Sequence, residues 1–503
     1  MRKRIVVLGG GSAGWLTALF IQKIYPATEI SLIEDPATPP IIAGESGSAT
    51  VNKLYNFLEV DMDDWIKATN AMPKLGGRFT DWDGIGTEFI HGLIPEWYAL
   101  DYVAENPEFG RGNDFISCSL AKGILQENVY YNGHLQRIGK VPISPGKDNK
   151  KFNVITLPMW HFDSRGNAEF MKQLGIKRGI KLIEGKYQTC SRASNGDITS
   201  LMLDGERTVD GDWFFDCSGF ARLLLHKVIG EPLVDYTDYF PARSVMAWWD
   251  DKPKVLNYTD ITAMKYGWTW NINLKHRSGN GYIFDPDLIS PDQAQEEVET
   301  KLGHKIEPVA SLRFTPSLMD NSWRNNVIAV GLSAGFLEPL ESNGLAAVVA
   351  QLQHLCEYWV PESADNKIDQ ITYNRDYIST MNDIRDFLSL HYRGHRRDTE
   401  FWRSHGEDPK RVSDVLKHRM KMWEEGILGV GDMAGYGLEN YATVIQGLNL
   451  INRDKLRARL LSKRATIFDD FNRSYNKLSK EIDGIANICY TTEEWKNIVY
   501  GPD

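Results

Sequence analysis

Four stretches of this 503-residue sequence combine residue types able to do chemistry. The first is Gly9-Gly10-Gly11-Ser12-Ala13-Gly14, a Gly-x-Gly-x-x-Gly run placed between the apolar residues 4–8 and a helical pattern reaching about residue 25. Strand, glycine turn and helix in that order bring backbone amides and a positive helix end to a pyrophosphate. Glu34, twenty residues past Gly14, ends a second strand at 29–34, where a carboxylate accepts from ribose hydroxyls. Gly9, Gly11, Ser12, Ala13, Gly14 and Glu34 are therefore the expected dinucleotide contacts. The motif alone does not separate FAD from NAD.

The second stretch is Pro73-Lys74-Leu75-Gly76-Gly77-Arg78-Phe79, followed by Asp81-Trp82. A lone lysine is ordinarily a solvated charge, but this one is set between apolar and glycine residues. The third is Gly267-Trp268-Thr269-Trp270-Asn271-Ile272-Asn273. Period two puts Trp268 and Trp270 on one face of a strand, which suits a filled core as well as a site. The fourth is the run 336–344, with Glu341-Ser342 and then Asn343-Gly344, flanked upstream by Gly331 and Gly335. It reads either as a tight turn before a helix or as backbone that closely approaches a ligand.

Around these stretches the chain has the makings of two or three interleaved domains, being too long for one simple core. Hydrophobic content of 42% and charged content of 25% belong to a globular protein. A net charge of −10 without a sustained basic run excludes a large nucleic-acid or anionic-membrane footprint. No apolar run approaches the roughly 18 residues of a membrane span. The residues after Arg2-Lys3-Arg4 are broken by glycine, which makes them a first strand and not a signal peptide. Five scattered cysteines without a Cys-x-x-Cys pair fit a reducing cytoplasm. His391 and His395 have a metal-ligand spacing but no accompanying third ligand, so no metal is expected.

Periodicity and turn residues predict a helix over 51–58 capped by Ser48 or Thr50, and another over 167–179 ended by Gly179. Strands are predicted at 181–187, 198–203 and 213–215, with hairpin signals at Asn195-Gly196 and Asp204-Gly205. Ser290 and Pro291 open a helix to about Leu302. Residues 326–330 form a strand delivering the run 331–344, and the chain after 361 is mainly helical. Residues 96–149 read as loops and short elements.

Taken together, the motifs resemble those of flavin-dependent halogenases of the tryptophan halogenase family, from about residue 3 to at least 402. Lys74 matches the lysine of the family's Lys-x-Gly-x-x-Phe-x-x-Trp segment. Residues 267–273 match Gly-Trp-x-Trp-x-Ile-Pro with Asn273 for proline, and Glu338 to Asn343 match Glu-Pro-Leu-Glu-Ser-Thr with Asn343 for threonine. Ala43-Gly44-Glu45 resemble the family's flavin strap, and Asp216-Cys217-Ser218-Gly219 a second flavin-contact region shared with FAD monooxygenases. Cys217 itself reads as a small buried residue.

The resemblance implies an α/β fold: a Rossmann-like FAD-binding domain of the FAD monooxygenase/halogenase type, a mixed β-sheet substrate region and a mainly helical C-terminal region. On that reading residues 1–360 form an FAD module interleaved with substrate-region strands at about 80–165 and 230–320, and 361–503 complete the substrate site. It also implies FADH2, dioxygen and halide as reactants. A flavin C4a-hydroperoxide would oxidise halide to hypohalous acid, which Lys74 delivers to an electron-rich aromatic of indole or phenol type. Glu341 would polarise the hypohalous acid or act as general base, and Ser342 would position it. Asn343 and Gly344 would hold halide, Gly331 and Leu337 would join Ala43, Gly44 and Glu45 in cofactor binding, and Trp268 and Trp270 would keep substrate from the flavin. Nothing resembles a nicotinamide module, so a separate flavin reductase is the implied partner; homo-oligomerisation is left open. The rival readings are an FAD-dependent aromatic hydroxylase and a flavin-binding protein without catalysis. Tyr441-Ala442 stand where the family has Ser-Trp, which turns the expectation away from free tryptophan.

Overall fold

The strand Arg4–Leu8 is buried along all but its first residue and lies in the middle of a six-stranded sheet. The computed structural model describes residues 2–38, 45–92, 113–146, 151–362, 367–429 and 436–502. They form two compact units, one of Met1–Ala71, Phe162–Phe240 and Phe314–Asn382, the other of Met72–His161, Pro241–Arg313 and Asp383–Asp503.

In the first unit the sheet order is Lys181–Glu184, Glu29–Glu34, Arg4–Leu8, Trp213–Asp216, Val327–Ala329, Trp323–Arg324. The first five strands are parallel and the last is antiparallel. Apolar side chains on both faces are what a parallel sheet covered by helices requires; Ile5, Val7, Leu32, Phe214 and Ile328 are all buried. Helices Ser12–Ile24, Ser164–Lys177 and Asn343–Tyr358 belong to this unit. A separate antiparallel sheet joins Tyr187–Arg192, Ile198–Leu203 and Thr208–Asp210.

The stretch 181–187, expected as one strand, is two. Lys181–Glu184 enters the parallel sheet and Tyr187–Arg192 the antiparallel one. The chain is broken between them because Gly185 N–H donates to the Glu34 carbonyl and Lys186 N–H to Asp204 Oδ1. The helix expected from 167 starts at Ser164, because Asp163 caps it by accepting from Gly166 N–H at 2.9 Å. The helix expected over 51–58 is Ala49–Phe57, with Ser48 at the cap position; its hydroxyl pairs with Thr50 Oγ1 at 2.7 Å instead of capping.

The second unit is organised on a seven-stranded sheet, in the order Pro308–Arg313, Ser244–Asp250, Ser278–Phe284, Gly267–Asn273, Thr259–Ala263, Gly76–Thr80, Glu88–Gly92. All pairs are antiparallel except Thr259–Ala263 with Gly76–Thr80. The helix Pro291–Leu302 starts at the expected Ser290, whose cap Gln293 extends to a capping box. Its Ala294 and Val298 pack with Tyr282 and Phe284. Helices Glu400–Glu407, Asp414–Glu424, Leu438–Gly447, Arg453–Lys463, Ile467–Ile488 and Thr492–Tyr500 follow. Among the described residues no helix is long and apolar enough to cross a membrane.

Candidate active site

In the first unit the glycine turn is built by close approach. Gly9 has φ +126°, and a Cβ there would sit 2.2 Å from the Cys217 carbonyl oxygen. A Cβ on Gly14 would lie 1.9 Å from the Gly9 carbonyl oxygen. Gly11 differs: nothing stands within 4 Å of the position its Cβ would take. Protein packing therefore demands Gly9 and Gly14, whereas Gly11 opens onto free space at the start of the helix Ser12–Ile24. That helix has no acidic residue in its first turn and no side-chain cap, so its leading N–H groups and positive end are free for an anion. The cradle fits the pyrophosphate of a dinucleotide.

Glu34 lies against this turn, since a Cβ on Gly10 would meet its Cγ at 2.5 Å. Its Oε2 pairs with Lys172 Nζ at 2.9 Å. Burial works against the Lys172 charge, but pairing with Glu34, helped by Glu169 and Glu184, outweighs it and holds the ammonium above the ordinary lysine range. Gly331 (φ +70°) reaches the same place, where its Cβ would be 2.9 Å from Ala13 Cβ. The buried Gln351 holds that approach: Gly331 N–H donates to its Oε1, and its Nε2 donates to the Ala329 carbonyl, both at 2.9 Å. Sequence reasoning passed over Gln351; its only signal is a polar residue on the apolar side of an amphipathic helix.

Asp216 in the Asp-Cys-Ser-Gly segment is fully buried and anchors the chain that follows it. Its Oδ1 accepts from Ser218 N–H and Oγ at 3.2 and 2.6 Å, and its Oδ2 from Leu224 and Leu225 N–H at 2.8 and 3.0 Å. Burial, with Asp216 adding, pushes the Cys217 thiol far up, which keeps it inert.

The run 336–344 contains a strained step. Glu341 (φ 63°) and Ser342 (φ 57°) are consecutive non-glycine residues in the left-handed region, immediately before the helix Asn343–Tyr358. Of the glycines in and before this run, Gly331 has positive φ, whereas Gly335 and Gly344 do not. Asn343 is buried and turns back, its Nδ2 donating to the Leu340 carbonyl at 2.9 Å. The space at a Gly344 Cβ is open. Leu337 is buried, and the Phe336 ring packs on Phe220 and Phe314. A left-handed residue costs about 1–2 kcal/mol, more than the roughly 0.4–1 kcal/mol glycine loses through the unfolded chain. Ser342→Gly is therefore expected to raise the melting temperature in calorimetry. A lowered melting temperature would show that the left-handed turn carries no strain.

In the second unit Lys74 ends the strand Met72–Lys74, which pairs with Met159–Phe162 in the register Met72↔His161, Pro73↔Trp160, Lys74↔Met159. It is only 5% exposed, far from the solvated state usual for lysine. His161 is fully buried, and its Nε2 pairs with Thr259 Oγ1 at 2.8 Å. Burial and the Lys74 charge both push its pKa well down, so the imidazole is neutral. Gly76 follows, where a Cβ would sit 2.2 Å from the His91 carbonyl oxygen.

The lysine segment runs into an aromatic wall. Phe79 stacks on Phe89 with centroids 4.7 Å apart and meets Trp82 at 5.4 Å and His391 at 5.0 Å. Trp82 touches Trp268, Tyr392 and Trp402. Trp268 Nε1 donates to Tyr392 Oη at 2.8 Å, and its ring lies 5.8 Å from that of Trp270. Both indoles are buried on one face of Gly267–Asn273, as period two predicts. Trp270 covers Gly281 on the neighbouring strand, where a Cβ would fall 2.1 Å from the indole. Asn273 closes the strand end with side-chain bonds to Asn271 and Ser278 at 2.8 and 2.9 Å.

His391 and His395 do not face a common point. His391 Nδ1 pairs with the Phe387 carbonyl, whereas the exposed His395 pairs with Asp83, both at 2.9 Å. His91 was not singled out from the sequence; it is buried, and its Nε2 lies 3.0 Å from Asn440 Oδ1. Tyr441 and Ala442 are fully buried, and Tyr441 Oη accepts from Arg419 at 2.9 Å. Ala43 and Gly44 lie outside the described residues, as does the side chain of Glu45.

A family model described as tryptophan halogenase matches residues 4–462. The chain is 30% identical over 444 residues to tryptophan 7-halogenase RebH of Lentzea aerocolonigenes, covering 84% of this chain and 82% of that protein. It is 28% identical over 455 residues to tryptophan 6-halogenase SttH of Streptomyces toxytricini, with 84% of each covered. Among solved structures, that of Tar14, a tryptophan C-6 flavin-dependent halogenase from taromycin biosynthesis, matches with a TM-score of 0.85 at 24% identity, over 99% of this chain and 100% of that one. The flavin-dependent halogenase Xcc4156 from Xanthomonas campestris matches with a TM-score of 0.84 at 24% identity, over 98% of both chains. At these identities the two structures establish the α/β fold.

Proposed function

The chain belongs to the tryptophan halogenase family and is a flavin-dependent halogenase, and from that premise we propose that it uses FADH2, dioxygen and halide to halogenate an electron-rich indole or phenol. When bound, reduced FAD with dioxygen supplies the two-electron oxidation of halide to hypohalous acid. The amides of the turn at Gly11, Ser12, Ala13 and Gly14 hold the pyrophosphate, Gly9 shapes the turn while its own N–H donates to the Ile33 carbonyl at 2.9 Å, and Glu34 accepts from the ribose. Gly331, Leu337, Ala43, Gly44 and Glu45 complete the cofactor contacts. The amides of Asn343 and Gly344 hold halide at a helix start that has no acidic residue in its first turn.

Lys74 holds hypohalous acid by an ammonium hydrogen bond, or takes the halogen on nitrogen with loss of water, and presents it to the ring. Glu341 removes the ring proton from the cationic intermediate, a general-base task, and Ser342 positions it. Trp268 and Trp270 keep organic substrate away from the oxidant's source. The observation that carries this reading is the burial of Lys74: an ammonium at 5% exposure is costly to keep, and a lysine whose charge is tunable suits halogen transfer. Tyr441 and Ala442, in place of the family's Ser-Trp pair, are enclosed, and Tyr441 is engaged by Arg419. They offer nothing to the charged groups of an amino acid, which favours a simpler aromatic over free tryptophan. A separate reductase supplies FADH2.

The test is to combine the purified protein with FAD, a flavin reductase, NADH, air and bromide, and offer a panel of indoles and phenols. Mass spectrometry is expected to find the bromine isotope doublet. Products that gain oxygen alone, independent of halide, would mark a hydroxylase. Flavin binding with no product from any aromatic would mark a non-catalytic protein.

A further inference from the structure

We propose that Asn167 is a positioning residue of the dinucleotide site, fixing Ser12 as a hydrogen-bond donor to a diphosphate-bearing ligand. The inference rests on the reading of the glycine turn as the FAD site. Asn167 lies on the helix Ser164–Lys177 and is fully buried. Its Oδ1 accepts from Tyr55 Oη at 2.7 Å and from Trp65 Nε1 at 2.9 Å. An indole N–H can only donate, so the amide oxygen must face Trp65 and the NH2 must face the other way. On that other side stands Ser12, with Asn167 Nδ2 3.1 Å from its Oγ.

The polarity of the Ser12 hydroxyl follows. It accepts from an amide that has no lone pair to offer in return, so its single proton must go elsewhere. Among the described residues no acceptor takes that proton. Ser12 is the first residue of the dinucleotide helix, whose first turn carries no acid. A hydroxyl held as a donor at this point matches an anionic oxygen and adds a charge-assisted bond to those of the backbone amides. Three helices of the first unit take part: Ala49–Phe57 through Tyr55, Met62–Ala68 through Trp65, and Ser164–Lys177 through Asn167. Their packing is thereby converted into the orientation of one proton.

Asn167→Asp keeps shape and the acceptor for Tyr55 and Trp65, but its carboxylate takes the Ser12 proton and turns the serine's lone pairs toward the ligand. FAD would be titrated into the full-length protein and its fluorescence followed for wild type, Asn167→Asp, Ser12→Ala and the double variant. Asn167→Asp is expected to weaken FAD binding about tenfold or more, and Ser12→Ala several-fold. Through-space repulsion from the new charge is the same in both backgrounds, so the double-mutant cycle isolates the route through Ser12. The Asn167→Asp penalty is expected to shrink at least threefold when Ser12 is already alanine. Equal penalties in the two backgrounds overturn the proposal, and so does wild-type affinity in Ser12→Ala, which keeps the Tyr55 and Trp65 bonds to Asn167 whatever the fate of the aspartate variant. Wild type failing to bind FAD would instead bring down the site reading, and the proposal with it.

Discussion

Lys74→Ala is expected to abolish the brominated product while leaving FAD affinity at the wild-type value. The two halves of that result come from different parts of the chain. The proposed cofactor contacts lie on residues 9–14, 34, 43–45, 331 and 337, none of which includes the lysine. Proton transfer by a positioned side chain contributes about 10²–10⁴-fold to rate, and in the proposed mechanism Lys74 is the group that delivers halogen to carbon. Lys74→Met, which keeps the volume, controls for the space left by alanine. Lys74→Arg is expected to fail as well, because a guanidinium stays protonated and its planar fork does not replace a compact amine. If product persists in all three variants, measured by mass spectrometry at equal FAD loading, Lys74 has no part in the chemistry.

Gly14→Ala and Gly11→Ala are expected to lose the flavin for different reasons. A Cβ at Gly14 would fall 1.9 Å from the Gly9 carbonyl oxygen, a backbone atom that cannot swing aside. The turn must open, and overpacking of this kind costs about 1–3 kcal/mol in stability. At Gly11 nothing lies within 4 Å, so alanine there folds normally and projects its methyl into the cradle itself. Fluorescence titration is expected to show FAD affinity reduced at least 100-fold in both variants, and calorimetry a lowered melting temperature for Gly14→Ala alone. Undiminished affinity in Gly11→Ala would refute the assignment of the open face to the pyrophosphate.

What could be read from the sequence was whatever a short stretch encodes by itself. The turn at residues 9–14, the strands Arg4–Leu8, Glu29–Glu34 and Ile198–Leu203, and the helix start at Ser290 and Pro291 are local patterns, and they stand where local rules put them. The same face for Trp268 and Trp270 follows from strand period alone. The burial of Lys74 was not legible, because it comes from pairing with Met159, 85 residues further along the chain. Nor was the left-handed pair Glu341-Ser342, since glycine is the default reading for such backbone and glycines are close at hand. Asn167 and Gln351 read as ordinary polar positions on amphipathic helices until three-dimensional packing encloses them. Asn273 looked like the loss of a stiffening proline, yet its bonds to Asn271 and Ser278 hold that strand end by other means.

The order of strands in the first unit bears on how the protein is made. Arg4–Leu8 and Glu29–Glu34 leave the ribosome first, but their sheet is not finished until Trp323–Arg324 and Val327–Ala329 have been synthesised. At about 5–20 residues per second, the wait from residue 34 to residue 327 is roughly 15–60 s. Once made, Trp213–Asp216 presents an unpaired apolar edge until Val327–Ala329 follows, and the glycine turn next to it lacks Gly331 for the whole wait. Nascent chains of this architecture are therefore candidates for chaperone holding, and their yield should respond to slower synthesis at low temperature before it responds to any change in the stability of the finished fold.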